Sequence, residues 1–342
     1  MTTDTPLGRV SDGTEVIAAS RVTGRQLLTT VDAFVDNQSR FDRQARVTLE
    51  YGVLAVSRDV YLDYVSSQVM DWSSAETGKL KKIVASIAAK FSSFDLSLPA
   101  TVFLVKTSGL EEGFAAYTRL ENVIVLPANM VASLETGVNF GDPLHPKDDS
   151  TYLENVITHE FFHIFSKNNR ARRYELYKLV HYRPTGNDVA LPDVPWGSWE
   201  SMRDFKITNP DTPVLNVYID MAVPPASEGE AADAAPAPLM PVLLANAPYT
   251  GGIFFDYLQW WFMAIERDES GQWVAKLTAE GDSVLYTSAS LMDQYLGKVG
   301  RNFTQEIFHP DEILAQNFVL VVNQPSIGLL AKMNGVLQKG AS

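Results

Sequence analysis

Apolar residues recur at helical spacing from Lys79 to Phe91 (KLKKIVASIAAKF), which predicts a half-buried amphipathic helix. The pattern then changes. Ala100 to Thr107 (ATVFLVKT) is rich in β-branched and aromatic residues and reads as a strand. Ala115 to Leu126 (AAYTRLENVIVL), closed by Pro127, reads as a second strand. A loop follows, marked by Gly141, Asp142, Pro143, Pro146, Asp148 and Asp149. Thr151 and Glu154 then form a capping-box pair ahead of Val156, Ile157, Phe161, Phe162, Ile164 and Phe165, predicting a helix that Asn168 and Asn169 close. Another helix runs from about Ala171 to Val180 and stops before the Pro184–Gly186 turn.

The flanks are less regular. Residues 1 to about 75 read as helical segments of mixed polarity, so residues 1–98 are expected to form an N-terminal helical region and 99–342 one larger domain. Residues 183 to 215 are turn-rich. Pro224 to Pro241 (PPASEGEAADAAPAPLMP) is biased toward Ala, Pro and Glu and reads as a mobile loop or lid. Phe254 to Phe262 (FFDYLQWWF) is apolar nearly all round, and core packing is its expected role. Trp273 to Thr287 suggests a hairpin turning near Gly271 and Gly281, and the chain is again helical from Pro310. These elements together make the expected fold class α+β.

Composition narrows the partners. The 342 residues are 46% hydrophobic, enough for a large core, and carry a formal net charge of −13. Such a surface repels phosphate backbones and anionic lipid headgroups, so neither nucleic acid nor a membrane surface is an expected partner. The chain has no run of 18 apolar residues, and its start (MTTDTPLGRVSDGTEV) lacks a signal peptide's basic and apolar regions, so the cytoplasm is the expected compartment. There is no cysteine, which leaves His, Asp and Glu as the available metal ligands. The histidines are His145, His159, His163, His181 and His309.

Two of them stand four residues apart on the helix just predicted, in the run HEFFH (His159 to His163). Residues i and i+4 share a helix face, so His159 and His163 can aim their imidazoles at one ion about 2 Å away. Glu160 lies at the edge of that face, where its carboxylate can take a proton from an activated water without binding the metal. The expectation is a zinc-dependent hydrolase, with Glu160 as general base. A catalytic zinc needs a third protein ligand and one open position. The metzincin pattern would need Gly at 166 and His at 169, whereas this chain has Ser166 and Asn169. Glutamates are the alternative: Glu175, twelve residues after His163, or Glu312 within FHPDEILAQNF (Phe308 to Phe318). His309 can cap a helix there and Pro310 can open it, which places Glu312 in a first turn whose dipole favours a carboxylate. Glu312 is therefore preferred, and Glu175 reads as a solvated charge among Arg172, Arg173 and Lys178. Candidates to stabilise a developing oxyanion are His181, Tyr182, Tyr249, Tyr257 and His309, with His309 favoured by its place one turn before Glu312.

His159-Glu160-x-x-His163 followed by helical Glu312-Ile-Leu-Ala-Gln316 resembles the gluzincin metallopeptidases, the thermolysin-like clan. The blocks ITNPDTP (Ile207 to Pro213), GGIFFDYL (Gly251 to Leu258) and HPDEILAQNF (His309 to Phe318) look like a bacterial group within it. The resemblance spans roughly Pro99 to Phe318. It implies a zincin-like fold: a mixed sheet over the zinc-binding helix, a mainly helical C-terminal half, and the Ala115–Leu126 strand as the cleft's edge. It also implies zinc held by His159, His163 and Glu312, and a peptide or protein substrate. The clan's E-x-x-x-D pattern has Asp where this chain has Gln316. That substitution motivates an alternative, a non-catalytic zinc-containing protein derived from a metallopeptidase.

Overall fold

The helix around Lys79 begins earlier than its apolar pattern, because Ser73 caps it. The Ser73 hydroxyl accepts from Glu76 N at 3.2 Å while Glu76 Oε2 accepts from Ser73 N at 2.6 Å, a reciprocal capping box. The computed structural model describes residues 3–11, 13–50, 55–136, 149–199, 201–223, 236–300, 306–323 and 328–338. Their strands are β1 (Thr5–Val10), β2 (Thr14–Ala18), β3 (Val69–Met70), β4 (Thr101–Thr107), β5 (Tyr117–Arg119), β6 (Val123–Pro127), β7 (Tyr182–Pro184), β8 (Val217–Met221), β9 (Ala237–Ala245), β10 (Leu258–Arg267), β11 (Trp273–Ala275) and β12 (Leu285–Thr287). The helices are α1 (Arg21–Leu28), α2 (Ala33–Asn37), α3 (Arg40–Arg46), α4 (Arg58–Gln68), α5 (Ser74–Phe91), α6 (Ala128–Thr136), α7 (Asp149–Asn168), α8 (Arg170–Leu179), α9 (Ser288–Val299), α10 (Pro310–Asn323) and α11 (Leu329–Leu337). The fold is α+β, as expected.

The chain divides into two compact units, Met1–Asp36 with Val56–Arg173 and Leu314–Ser342, and Asn37–Ala55 with Tyr174–Ile313. This is not the expected division at residue 98. The first 98 residues are not a helical region either, because β1 and β2 pair antiparallel and β2 runs parallel to β4. The sheet of the first unit has the order β1-β2-β4-β6-β5, with β3 also on β4. β4 and β6 pair in parallel, and Val102, Leu104, Val123, Ile124, Val125 and Leu126 are all buried, the near-continuous apolar run of strands covered on both faces. The expected single strand Ala115–Leu126 is a hairpin, β5 antiparallel to β6, turning where Leu120 adopts φ 51°. Its outer strand β5 is the sheet edge, but Tyr117, Thr118 and Arg119 are fully buried and the Thr118 carbonyl accepts from Lys167 Nζ at 3.3 Å.

Helix α7 packs against β5, β6 and α5. It starts at Asp149, so Thr151 and Glu154 do not open it. Glu154 instead reaches α5, accepting from Ser86 Oγ at 2.9 Å and pairing with Lys90 Nζ at 2.5 Å. Three helices of this unit meet through aromatic rings. Phe318 of α10 lies 5.5 Å from Phe162 of α7 and 5.6 Å from Phe91 of α5, and Phe161 meets Phe91 edge-on at 5.6 Å. Asn323 Nδ2 donates to Asn155 Oδ1 at 3.3 Å near the other end of α10.

The second unit is built on an antiparallel sheet, β11-β10-β9-β8-β7, with β12 also on β10. The C-terminal half is therefore not mainly helical. Within Phe254 to Phe262 a 3-10 turn ends at Tyr257 and strand β10 begins at Leu258. Of the low-complexity stretch, Ala237 to Pro241 lie in β9, which corrects the expected loop at 224–241; residues 224–235 fall outside the described residues, as does His145. The turns at Gly271 and Gly281 exist, and the chain folds back antiparallel at the second, where Leu277 bridges Ser283 and Val284 N donates to Lys276 O at 3.0 Å; the strands flanking that turn, β11 and β12, both pair with β10. Along β9, Val242 and Leu244 join one apolar cluster with Met240 and Met263, while Leu243 and Ala245 join another with Phe41, Phe205 and Phe254. That alternation is the period-two signature of a strand buried on both faces. No described helix is long and apolar enough to cross a membrane.

Candidate metal centre

The middle of α7 is buried all round: the sheet lies against it, and α5 and α10 contact its aromatic residues. On this helix His159 and His163 stand one turn apart, and their Nε2 atoms approach to 3.0 Å. The rings are inclined at 72°, so the two nitrogens converge while the ring planes do not stack. Glu160, between them in sequence, is 3% exposed. A carboxylate kept that far from water is unusual on a helix unless it has a specific task.

Glu312 arrives on α10. This helix lies in the first unit from Leu314 onward, and Glu312 stands in the first turn of the same unbroken helix. The ring contacts of Phe318 with Phe162 and Phe91 pack the part of α10 from Leu314 onward against α7 and α5. One ligand atom each from His159, His163 and Glu312 fall within 4.8 Å of one another, and all three residues are buried. Glu175 is not part of the group; it is exposed on α8 and pairs with Lys178 at 2.6 Å.

The chain entering α10 behaves as its sequence implies. His309 is the N-cap residue: its carbonyl accepts from Ile313 N at 3.2 Å and its Nδ1 accepts from Asp311 N at 3.1 Å. An accepting Nδ1 places the proton of the neutral ring on Nε2. Tyr177 supports this turn, donating to Asp311 Oδ1 at 2.8 Å with its ring edge-on to His309. The other oxyanion candidates are engaged elsewhere. Tyr182 shares a hydrogen bond with Tyr295 at 3.1 Å, Tyr249 donates to Gly252 O at 2.8 Å, and Tyr257 donates to Gly251 O at 2.9 Å. His181 is exposed in a left-handed conformation, φ 63°. Burial pushes the Tyr182 phenol well above its ordinary value, so it stays neutral.

Sequence reading missed Asn209, whose Nδ2 donates to Glu312 Oε1 at 2.6 Å. Asn209 and Glu312 are 103 residues apart, and no local pattern marks such a pair.

The donor set fits a divalent ion. Two imidazole nitrogens bound at about 2.05 Å to one tetrahedral ion would stand about 3.3 Å apart, close to the separation seen here. Two histidines and a glutamate suit zinc, and they also suit iron(II) with the same facial arrangement. Comparison of the chain with family models, with curated proteins and with solved structures gives no match.

Proposed function

We propose that this protein is a zinc-dependent hydrolase, with peptide bonds as its substrate class. The observation that carries the reading is the buried convergence of His159, His163 and Glu312 beside a buried Glu160. A purely structural metal site has no use for Glu160. The surroundings are compatible with a zincin-like arrangement: a mixed sheet, a ligand-bearing helix packed on it, and a second helix bringing the glutamate. A bound zinc ion would supply a Lewis acid that lowers the pKa of a coordinated water to about 7. Glu160 would accept a proton from the attacking water and return it to the leaving nitrogen. His309, protonated at Nε2 by the tautomer its cap imposes, is the candidate donor to the oxyanion. Peptide bonds rest on the resemblance to gluzincins, an analogy of motif.

A second reading is a non-catalytic zinc protein. Two observations favour it: the edge strand β5 is fully buried with a carbonyl already bound by Lys167, and Gln316 stands in place of the clan's Asp.

One experiment separates the two. Purified protein is loaded with zinc and incubated with a mixed peptide library at neutral pH, with cleavage read by mass spectrometry. Near-stoichiometric zinc is expected in wild type and in Glu160→Gln, and none in His163→Ala. Turnover should fall about 10²- to 10⁴-fold in Glu160→Gln, the usual contribution of a general base. Wild type that holds zinc yet cleaves no peptide, ester or amide establishes the non-catalytic reading.

A further inference from the structure

Glu312 owes its setting to a loop remote in sequence. Residues 207–213 (ITNPDTP) carry Asn209, which donates from Nδ2 to Glu312 Oε1 at 2.6 Å. The Asn209 side chain is held at both ends. Its Oδ1 accepts from Asp211 N at 2.9 Å, an Asx turn that fixes which end of the amide faces the carboxylate. The Asn209 carbonyl accepts from Thr212 N at 3.3 Å.

The loop itself is pinned by a buried ion pair. Asp42 and Arg46 are 0% and 1% exposed, with Arg46 Nη1 2.5 Å from Asp42 Oδ1. Both Asp42 oxygens accept from Thr208 N at 3.1 Å, and Arg46 Nη2 donates to the Thr208 carbonyl at 3.0 Å. Thr208 Oγ1 donates to Asn37 O at 2.9 Å, and Lys206 Nζ donates to Pro213 O at 3.3 Å. The residue next to Asn209 is thus bonded through its N–H, its carbonyl and its side chain.

We propose that Asn209 is a positioning residue for the metal centre: by holding Oε1 it makes Glu312 a one-oxygen ligand through Oε2. This rests on reading His159, His163 and Glu312 as the metal site. A carboxylate with both oxygens available can chelate an ion and occupy the position that a catalytic site keeps open. A hydrogen bond from a neutral donor to a carboxylate is short and strong enough to bias against chelation, and the amide adds no charge. Outer hydrogen bonds of this kind typically change metal affinity 10- to 100-fold.

The test uses the full chain as wild type, Asn209→Ser, Asn209→Ala and His163→Ala. Zn2+ affinity is measured against a competing chelator, Co2+ absorption reports coordination number, and urea unfolding is followed with metal removed. Serine keeps an oxygen able to accept from Asp211 N but lacks the amide donor, so it separates orientation of Glu312 from integrity of the loop. Asn209→Ser should bind Zn2+ about 10- to 100-fold more weakly. Its Co2+ spectrum should weaken toward that of a five-coordinate ion, with the metal-free unfolding midpoint unchanged. Asn209→Ala should show the same metal effects and also unfold earlier. Wild-type Zn2+ affinity in Asn209→Ser overturns the inference, and so does weakened affinity with an unaltered Co2+ spectrum, since the residue then only supports its loop. Wild type that binds neither ion overturns the metal reading itself and the inference with it. Metal binding abolished by His163→Ala but untouched by Asn209→Ser overturns the inference alone.

Discussion

Replacing one partner of the buried Asp42–Arg46 pair should cost far more than replacing both. Breaking a buried pair one-sidedly typically costs about 3–5 kcal/mol, because the surviving charge has lost its counter-ion and is out of water. The two sides are not equivalent. Arg46→Met leaves Asp42 with two N–H donors, Ser39 N at 3.0 Å and Thr208 N at 3.1 Å. Its cost should lie near the bottom of that range, about 3 kcal/mol. Asp42→Ala takes the carboxylate away from a buried guanidinium whose Nη2 donates to the Thr208 carbonyl and which faces the Phe254 ring at 4.6 Å. It also removes the capping box that Ser39 and Asp42 form on α3, worth about 1 kcal/mol more, for roughly 5 kcal/mol in all. The double variant should cost about 2–3 kcal/mol less than the sum, the coupling expected of groups in direct contact. Urea unfolding followed by tryptophan fluorescence measures this, since Trp196, Trp199, Trp260, Trp261 and Trp273 all lie in the same unit as the pair. Single-variant costs below about 1 kcal/mol, or strict additivity in the double variant, would refute the claim that a charge pair pins the 207–213 loop.

Phe318→Ala should destabilise the protein by about 3–5 kcal/mol, because the ring contacts Phe91, Phe94 and Phe162 and is fully buried. It should also weaken Zn2+ binding, whereas Phe318→Leu should restore most of both; unchanged Zn2+ affinity in a folded Phe318→Ala would show that α10 does not need this anchor. Glu111 supplies a pH prediction. Desolvation raises its carboxyl above the ordinary 4.5, against opposing hydrogen bonds from Thr107 and Tyr117. Its folded-state pKa exceeds the unfolded one, so the stability it contributes is present below about 4.5 and is lost as pH rises through the folded value. Glu111→Gln should therefore be more stable than wild type at pH 7 and converge with it near pH 4, as read by urea midpoints; a constant difference across that range would contradict the assignment.

Much of the site was legible because its chemistry is local. Thirteen residues set the α5 pattern and five set the HEFFH motif, and a helix expresses both without help from distant chain. Pro310, Asp311 and Glu312 likewise declare a helix start by rules that operate within one turn. The errors share a different cause. β1 and β2 lie in a stretch whose pattern suggests helix, and the run from Phe254 to Phe262 fits neither period, because short or continuously apolar segments do not tell strand from buried helix. β9 was masked by the Ala and Pro content of its first residues, yet it pairs with β8 and β10 along its length.

The sequence alone determined that His159 and His163 could share an ion, that Glu160 would stand beside them, and that Glu312 would open a helix. These follow from the 3.6-residue period and from the preference of a helix start for negative charge. Only the tertiary structure decided that Glu312 would meet the two histidines and that Glu175 would face solvent. The same holds for Asn209, delivered to Glu312 by a loop tied to Asp42 and Arg46. Those outcomes depend on ring packing and buried hydrogen bonds between segments as far as 103 residues apart for Asn209 and Glu312, and helix periodicity carries no information at that range.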